Sequence, residues 1–298
     1  MARSAWPFES KHAVIHGVRL HYVEHGSGPP ALFLHGNPTW SYLWRNVLPE
    51  VGRTHRAIAV DLAGFGRSEH PSGFNYDFDE HAALLAGFID HLELDDLSLV
   101  LHDWGGILGM HWAVEHLDRV SRVALLSTFV APVDGVLRSA LMRLPRIPGL
   151  GALLVQRLNL FVPLALRAGV VHWSRLTPEL RRAYATPFPD AASRLPIRRW
   201  TEQLPASSRD RTHRVLQVIA GSLPSFDRPV LIVRGRYDPV LTMTRARWLR
   251  DALPQARLEV VSRAGHFLQE DQPERVASLL ADFLTEGRTD SPAPRPRA

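Results

Sequence analysis

Asp103 lies where an apolar, strand-like run ends and a glycine-rich helical stretch begins, in Leu97-Ser-Leu-Val-Leu-His-Asp-Trp-Gly-Gly-Ile-Leu-Gly-Met. This context is typical of a nucleophile elbow, whose pattern G-x-nucleophile-x-G places one reactive side chain on a sharp strand-to-helix turn. Gly105 supplies the trailing glycine, but Leu101 replaces the leading one. Taken alone, this segment therefore leaves two alternatives for Asp103: a nucleophile or a helix N-cap.

Two later segments supply an acid and a base in the chain order of this architecture, which is nucleophile, acid and then histidine. Asp238 follows the apolar run Val230–Val233, and His266 follows the run Leu258–Val261. In a parallel α/β sheet, catalytic side chains lie on loops at the carboxyl ends of strands, which is where these residues stand. Order and position together predict a catalytic triad of Asp103, Asp238 and His266.

A carboxylate nucleophile restricts the reaction that such a triad performs. A serine at an elbow serves acyl transfer, whereas an oxygen of Asp103 can displace a leaving group from saturated carbon or open a strained ring. Either reaction leaves an alkyl ester on the aspartate. Water activated by His266 would then attack the carbonyl carbon of that ester. Asp238 would orient the imidazole and stabilise its protonated form.

The elements that must position these residues alternate between apolar strands and amphipathic helices, which is the pattern of an α/β fold. A hairpin is expected from residues 12–16 and 19–25. Buried strands rich in valine, leucine and isoleucine are predicted at Ala31–Leu34, Ala57–Val60, Leu97–Leu101, Val120–Leu126, Val230–Val233 and Leu258–Val261. Helices are predicted at Asp77–His91, Gly106–His116, Met243–Leu253 and Pro273–Leu284. We expect a mostly parallel central sheet flanked by helices.

One long segment interrupts this alternation. Residues 129–228 contain many prolines, favour helix and show no clear strand-like run. We predict that they form a helical cap, inserted after the sixth strand between two parts of the core, 1–128 and 229–286. Residues 287–298 are polar and proline-rich, so a disordered tail is expected there.

The composition, 45% apolar and 22% charged over 298 residues, is ordinary for a folded protein with a large core. The absence of cysteine excludes disulfides, thiolate metal sites and a cysteine nucleophile, and it favours a cytoplasmic location. The N-terminus lacks the apolar run of a signal peptide. The longest apolar stretch, 149–171, contains two arginines and a proline, so we expect no transmembrane segment.

Basic residues are concentrated in the predicted cap. The formal net charge is +5, and 34 of the 35 basic residues are arginine. Residues 138–214 contain fourteen arginines against four acidic residues. We find no nucleic-acid-binding signature among them and expect no nucleic acid. The arginines are interpreted as a solvated face, with a protein partner or an acidic surface at the cap as the alternative.

Four segments give the sequence a family resemblance. They are His35-Gly-Asn-Pro-Thr-Trp-Ser-Tyr-Leu-Trp-Arg-Asn, Asp61-Leu-Ala-Gly-Phe-Gly-Arg-Ser, His102-Asp-Trp-Gly-Gly and Gly265-His-Phe-Leu-Gln-Glu-Asp. Together they resemble the haloalkane dehalogenases of the α/β-hydrolase superfamily, over residues 10–285. The resemblance implies the α/β-hydrolase fold and hydrolysis of haloalkanes to alcohol and halide without a cofactor.

The same resemblance implies further roles for two residues near the nucleophile. The side chains of Asn37 and Trp104 would donate hydrogen bonds to the departing halide, and their backbone N–H groups would form the oxyanion hole. An amide NH₂ and an indole N–H are suitable donors for negative charge that develops in a dry pocket.

The resemblance also separates subfamilies. One group takes its acid as a glutamate just after the sixth strand, where this sequence has Thr128. Another group uses a cap tryptophan as the second halide donor, which would be Trp173 here, and has glutamate at the position of Asn37. An Asp–His–Asp triad with an Asn–Trp pair resembles subfamily III. Part of that subfamily consists of β-lactone decarboxylases of long-chain olefin biosynthesis, and residues 148–159 resemble theirs, so this lyase activity is the main alternative.

Other functions fit the sequence less well. Epoxide hydrolases have a similar elbow but use two cap tyrosines, and the predicted cap contains only Tyr184. A non-catalytic ligand-binding member of the fold has no need of a complete triad. The pairs His12/His16 and His21/His25 lie in strand-like segments, where a four-residue spacing does not pair metal ligands, so we predict no metal. The expected ligands are a small apolar substrate and a halide ion, with no cofactor.

Overall fold

The apolar runs predicted as strands pair into one eight-stranded sheet. The computed structural model describes residues 6–132, 140–205 and 207–287. The strands are β1 (Lys11–Ile15), β2 (Val18–His25), β3 (Pro30–Leu34), β4 (Arg56–Val60), β5 (Leu97–His102), β6 (Val120–Leu126), β7 (Val230–Gly235) and β8 (Ala256–Val261). Their order across the sheet is β1-β2-β4-β3-β5-β6-β7-β8. Strand β2 is antiparallel to β1 and β4, whereas the other neighbours are parallel.

Strand β5, which leads to the predicted nucleophile, lies near the centre of the sheet. In the register of the sheet, Leu101 pairs with Leu34 of β3 and with Leu125 of β6. Every residue of β5 is buried, which explains why the strand reads as a continuous apolar run and not as an alternating one. Because β5, β7 and β8 are parallel, their carboxyl ends lie at one edge of the sheet, as the sequence predicts.

Helices cover the sheet and form the cap. They are α1 (Leu48–Val51), α2 (Phe78–His91), α3 (Trp104–Glu115), α4 (Ala140–Arg143), α5 (Phe161–Gly169), α6 (Pro178–Ala185), α7 (Leu195–Glu202), α8 (Arg211–Ser222), α9 (Met243–Ala252), α10 (Leu268–Asp271) and α11 (Pro273–Thr285). Helix α3 packs against α2 and α8, and α1 packs against α11. The four helices predicted from amphipathic stretches are all present, with ends within two residues of the expected ones.

Helix α2 shows how local sequence produces these elements. The Asp77 carboxylate accepts a hydrogen bond from the backbone N–H of Glu80, and the Glu80 carboxylate accepts one from the backbone N–H of Asp77. This capping box satisfies two donors that the first turn would otherwise leave unpaired. Leu85, Phe88 and Ile89 form part of the buried face of the helix, as their spacing predicts.

The described residues between β6 and β7 form helices and contain no strand, in agreement with the predicted helical cap. They comprise α4 to α8, several 3₁₀ turns and a π-helical turn at Ala152–Arg157. The domain limits at 128, 228 and 286 remain predictions. Except for Gly287, the tail predicted at 287–298 lies outside the described residues.

No helix in the described part of the chain is both long enough and apolar enough to cross a membrane. The apolar stretch 149–171 is divided between the π-helical turn and α5. Both elements belong to the cap.

Candidate active site

Asp103 occupies the turn between β5 and α3. Its backbone angles, φ 51° and ψ −122°, are rare for a residue with a side chain and are characteristic of functional turns. The Asp103 carbonyl accepts hydrogen bonds from the backbone N–H of Gly106 (2.9 Å) and from the Thr128 hydroxyl (2.6 Å). The Asp103 carboxylate makes no N-cap hydrogen bond. The alternative that Asp103 serves only as a helix cap is therefore wrong.

Two glycines let the elbow pack closely against its surroundings. A Cβ atom at Gly105 would lie 2.6 Å from the carbonyl oxygen of Leu34, and a Cβ at Gly36 would lie 2.2 Å from Oδ1 of Asp103. A side chain at either position would displace the backbone or the nucleophile itself. Gly105 was expected from the elbow pattern. Gly36 was not singled out, although it lies beside Asn37 in a segment that carries the family resemblance.

The structure brings the three predicted triad residues together. Nε2 of His266 lies 3.5 Å from Oδ2 of Asp103, and Nδ1 of His266 lies 3.3 Å from Oδ1 of Asp238. The backbone N–H of Val240 donates to that same Asp238 oxygen at 2.8 Å. The imidazole of His266 thus lies between the carboxylates of Asp103 and Asp238, the arrangement that a base and its orienting acid require.

Burial and charge act in opposite directions on the triad. Burial alone would raise the pKa of Asp103, but the hydrogen bond and charge of His266 lower it below its ordinary value. The pKa of Asp238 is lowered in the same way, chiefly by the charge of His266. Burial would lower the pKa of His266, yet the two carboxylates raise it to about 10. The resting site therefore holds a proton on His266 between two ionised aspartates.

Asn37 reaches the nucleophile through its backbone and the cap through its side chain. Its backbone N–H donates to Oδ1 of Asp103 at 2.9 Å. Its side-chain Nδ2 donates to the carbonyl of Ile197 (3.1 Å) and to Oγ1 of Thr201 (3.3 Å), both on α7. These two acceptors are themselves joined, because the Thr201 hydroxyl donates to the Ile197 carbonyl at 2.8 Å. The side-chain amide of Asn37 is thus oriented by α7.

Trp104 is the first residue of α3, and its ring is held by the cap. The ring packs edge-to-face against Trp200 of α7, with centroids 4.7 Å apart and an interplanar angle of 82°. Within residues 6–132, 140–205 and 207–287, no group accepts a hydrogen bond from the Trp104 indole N–H. Trp104 therefore offers an unpaired donor on the residue next to Asp103. Trp200 was not predicted, because its contact with Trp104 joins segments that are far apart in the sequence.

Comparison with known proteins agrees with this geometry. Residues 29–273 match the family of the alpha/beta hydrolase fold. Haloalkane dehalogenase 2 of Mycobacterium tuberculosis is 36% identical over 278 residues, which cover 93% of this chain and 95% of that protein. The chain belongs to the haloalkane dehalogenase family of α/β hydrolases.

Further proteins resemble the chain over almost its full length. A cis-3-alkyl-4-alkyloxetan-2-one decarboxylase of Shewanella oneidensis is 33% identical over 289 residues, covering 95% of this chain and 90% of that protein. The crystal structure of the haloalkane dehalogenase DatA from Agrobacterium tumefaciens has a TM-score of 0.85 at 32% identity, covering 93% of this chain and 96% of DatA. That of DbeA from Bradyrhizobium elkani has a TM-score of 0.88 at 29% identity, covering 93% and 98%.

Two residues considered for the alternative activities lie outside this arrangement. Trp173 is 55% exposed, and its ring packs against the guanidinium of Arg167. Tyr184 is buried, and its hydroxyl donates to Oε1 of Glu270 at 2.6 Å, a carboxylate that Arg45 also binds through two hydrogen bonds. The Tyr184 hydroxyl is thus already engaged with Glu270, and the Trp173 ring contacts Arg167.

The loop that carries His266 is anchored to the cap by a buried carboxylate. Asp271 accepts hydrogen bonds from the backbone N–H groups of Gly265 (2.9 Å), Val171 (3.0 Å) and His172 (2.8 Å). The carbonyl of Gly169, at the end of α5, accepts another hydrogen bond from the backbone N–H of Phe267, at 3.0 Å. Asp271 was not singled out in the sequence. The available signal was its place in the string Gly265-His-Phe-Leu-Gln-Glu-Asp.

In the part of the chain that the structure describes, no cluster of three or more histidine, cysteine, aspartate or glutamate residues could hold a metal ion. His21, one of the histidines considered for such a role, contacts Asp61 instead, through its Nδ1 at 2.7 Å from Oδ2. That carboxylate also accepts the backbone N–H groups of Ser41 and Arg67. The Asp61 network thus supports the backbone beneath the site.

Proposed function

We propose that this protein hydrolyses haloalkanes to an alcohol, a halide ion and a proton, through an alkyl ester on Asp103. The observation that carries the proposal is the carboxylate at the elbow, with His266 on one side of it and the Asn37 backbone N–H on the other. A serine at this position would serve acyl transfer, whereas a carboxylate serves displacement at carbon. The names of the relatives in Mycobacterium and Agrobacterium support the same reaction.

In the first step, Oδ2 of Asp103 attacks the carbon that bears the halogen. Oδ1 already accepts the Asn37 backbone N–H, which leaves Oδ2 as the nucleophilic oxygen. A new C–O bond forms while the carbon–halogen bond breaks, and the halide leaves with the bonding electrons. The side-chain amide of Asn37 and the indole N–H of Trp104 stabilise the charge that develops on the halide.

In the second step, water adds to the Asp103 carbonyl carbon. Ester formation removes the negative charge of Asp103, which was one of the causes that raised the pKa of His266. The imidazolium then loses its proton to solvent and becomes the base that takes a proton from the attacking water. Backbone N–H groups of Asn37 and Trp104 stabilise the oxyanion, and Asp238 holds the imidazole throughout. The bond between the Asp103 carbonyl carbon and the alkoxide oxygen breaks as His266 gives its proton to that oxygen. The proton left on the Asp103 carboxyl group then passes to His266, which restores the resting site.

Trapping the ester tests this mechanism. In His266→Phe, displacement remains possible but ester hydrolysis lacks its base, so one bromoalkane-derived adduct per chain should accumulate on Asp103. Intact-mass and peptide analysis measure it. His91→Phe, at an exposed histidine at the end of α2, is the matched control and should turn over normally without adduct. Steady turnover by His266→Phe, or an adduct on another residue, would remove the proposed roles.

A second candidate activity is β-lactone decarboxylation, which would use the same aspartate. It is favoured by one observation, the 33% identity over nearly the full chain to the Shewanella decarboxylase. Incubating the protein in parallel with a bromoalkane series and a synthetic β-lactone separates the two reactions, because one releases bromide and the other carbon dioxide. Carbon dioxide release without bromide release would establish the lyase and reject the dehalogenase.

The cytoplasmic location also remains a prediction, which cell fractionation tests.

A further inference from the structure

Helix α5 in the cap exposes apolar side chains as well as burying them. Its inner side buries Phe161, Val162, Ala165 and Leu166. Its outward side carries Leu164, Arg167 and Ala168, and Leu160, the N-cap residue that precedes the helix, lies one turn before Leu164; all four are exposed. A surface helix ordinarily presents polar side chains to water, and a helix that is apolar all round is normally covered. The exposed leucines at α5 are therefore unusual for a helix surface that faces water.

Neighbouring residues add further exposed apolar side chains to the surface of the cap. The π-helical turn before α5 exposes Leu153 and Leu158, joined by a hydrogen bond from the Leu158 N–H to the Leu153 carbonyl at 2.9 Å. After α5, the exposed ring of Trp173 lies against the guanidinium of Arg167. We call this surface the cap face. It consists of Leu153, Leu158, Leu160, Leu164 and Trp173, with Arg157 and Arg167.

The charge of the cap face is entirely positive. Residues 135–178 contain no aspartate or glutamate. Arg157 and Arg167 are exposed, and neither forms an ion pair with a carboxylate in the described part of the chain. The first acidic residue after this segment, Glu179, pairs with Arg182. Glu202 pairs with arginines of its own helix, and the carboxylates of Glu270 and Asp271 are buried and hydrogen-bonded.

We propose that the cap face binds the surface of an anionic lipid bilayer. Exposed leucines and a tryptophan interleaved with arginines are the composition of interfacial segments, whose apolar side chains enter the acyl boundary while the cations meet anionic headgroups. A symmetric dimer through this surface would bring Arg157 and Arg167 of both copies into one interface to which the cap face contributes no carboxylate. A bilayer supplies both the apolar layer and the negative charge.

The position of the cap face connects membrane binding to the substrate. The C-terminal end of α5 contacts the segment that carries His266, because the Gly169 carbonyl accepts the N–H of Phe267. The N–H groups of Val171 and His172, which follow α5, donate to Asp271 of α10. A bound protein would thus hold the junction of cap and core close to the bilayer. A site held close to the bilayer favours substrates that partition into lipid. This expectation about the substrate rests on the proposed function, whereas membrane binding does not.

Vesicle flotation with the full chain tests the proposal. We expect binding to vesicles of phosphatidylglycerol and phosphatidylcholine in equal amounts, weak binding to phosphatidylcholine alone, and release as salt rises. Leu160→Ser/Leu164→Ser and Arg157→Ser/Arg167→Ser should each lower the partition coefficient by at least about tenfold. The matched control is Trp248→Ser/Arg250→Ser on α9, an exposed tryptophan and arginine outside the cap, which should bind as the wild type does.

Several results would overturn the proposal. They are absence of binding to anionic vesicles, equal binding to neutral vesicles, or equal losses in the control and the cap-face variants. Sedimentation velocity without lipid gives another: a wild-type oligomer that Leu160→Ser/Leu164→Ser dissociates would make the cap face a self-interface. Bromide release from a short, water-soluble bromoalkane should be unchanged in the cap-face variants. Failure of vesicle binding is thereby distinguished from failure of the dehalogenase activity, which that assay measures in the wild type.

Discussion

Replacing Asp103 with asparagine removes one of the two negative charges that hold a proton on His266. The substitution keeps the size and shape of the side chain and, like the alkyl ester, leaves it neutral. The pKa of His266 in Asp103→Asn therefore represents its pKa in the ester intermediate, where His266 must act as the base that activates water. We expect that pKa to fall into the neutral range.

The expected size of the fall follows from the geometry. Nε2 of His266 lies 3.5 Å from Oδ2 of Asp103. At this separation and an effective dielectric constant of about 20, two unit charges attract by roughly 5 kcal/mol, which corresponds to between about 3 and 4 pKa units. Starting from about 10 in the resting site, the pKa of His266 should reach roughly 7. A general base is most effective when its pKa is close to the working pH.

Nuclear magnetic resonance of histidine-labelled protein measures this pKa directly. The chain contains 15 histidines, so the His266 signal is assigned by its absence from the spectrum of His266→Gln. Titration of the wild type and of Asp103→Asn between pH 5 and roughly 11 then gives the two values. A pKa for His266 that is the same in both proteins would refute the charge-based account of how the base is activated.

The same reasoning predicts a separation of the two steps by pH. Displacement needs only ionised Asp103, whose pKa lies below its ordinary value, so ester formation should persist in mildly acidic solution. Hydrolysis needs neutral His266 and should slow as the pH falls below the lowered pKa, roughly 7. Rapid-quench measurements at pH near 5.5 should therefore show a full burst of halide followed by slow turnover. Equal slowing of burst and turnover would contradict this order of events.

Three further substitutions test individual roles, each by bromide release or bromide binding. Asp238→Asn should lower kcat by roughly 10⁴, by analogy with serine triads. Thr128→Ala loses one hydrogen bond to the elbow and should lower kcat by less than about tenfold. The reverse ranking would mean that the acid is misplaced. Trp104→Phe removes the indole donor and should lower turnover by roughly 10²–10³ and abolish the bromide-dependent change in tryptophan fluorescence. Thr201→Val releases the Asn37 amide from one acceptor and should weaken bromide binding by about three- to tenfold, so unchanged affinity would exclude this positioning role.

The parts of the site that could be predicted from the sequence are those governed by local pattern. The strand before Asp103 and the helix after it were visible as an apolar run and a glycine-rich amphipathic stretch. Asp238 and His266 followed apolar runs that had to be neighbouring parallel strands, so their meeting at one edge of the sheet was a consequence of topology. The halide and oxyanion roles of Asn37 and Trp104 came from the resemblance alone and remain proposals.

The parts that could not be predicted depend on contacts between distant segments. Nothing near Asn37 in the sequence indicates that its side-chain amide would be oriented by Ile197 and Thr201, which lie on a helix of the cap. The edge-to-face contact of Trp104 with Trp200 is of the same kind. The individual elements of the cap were also beyond prediction, because prolines and a π-helical turn interrupt the helical periodicity on which such prediction depends.

The hydrogen bonds of Asp271 limit how caps can be exchanged between members of the family. Because this carboxylate binds N–H groups of the His266 loop and of residues 171–172 at once, a chimera that takes its cap from a relative also changes the support of the base. If the imported cap segment ends before Gly169, residues 169–172 and the core come from the same protein, and the hydrogen bonds of Asp271 are preserved. Crossovers placed after His172 separate the two sides. Beyond the end of α5, a change in the cap therefore also changes the support of the catalytic base.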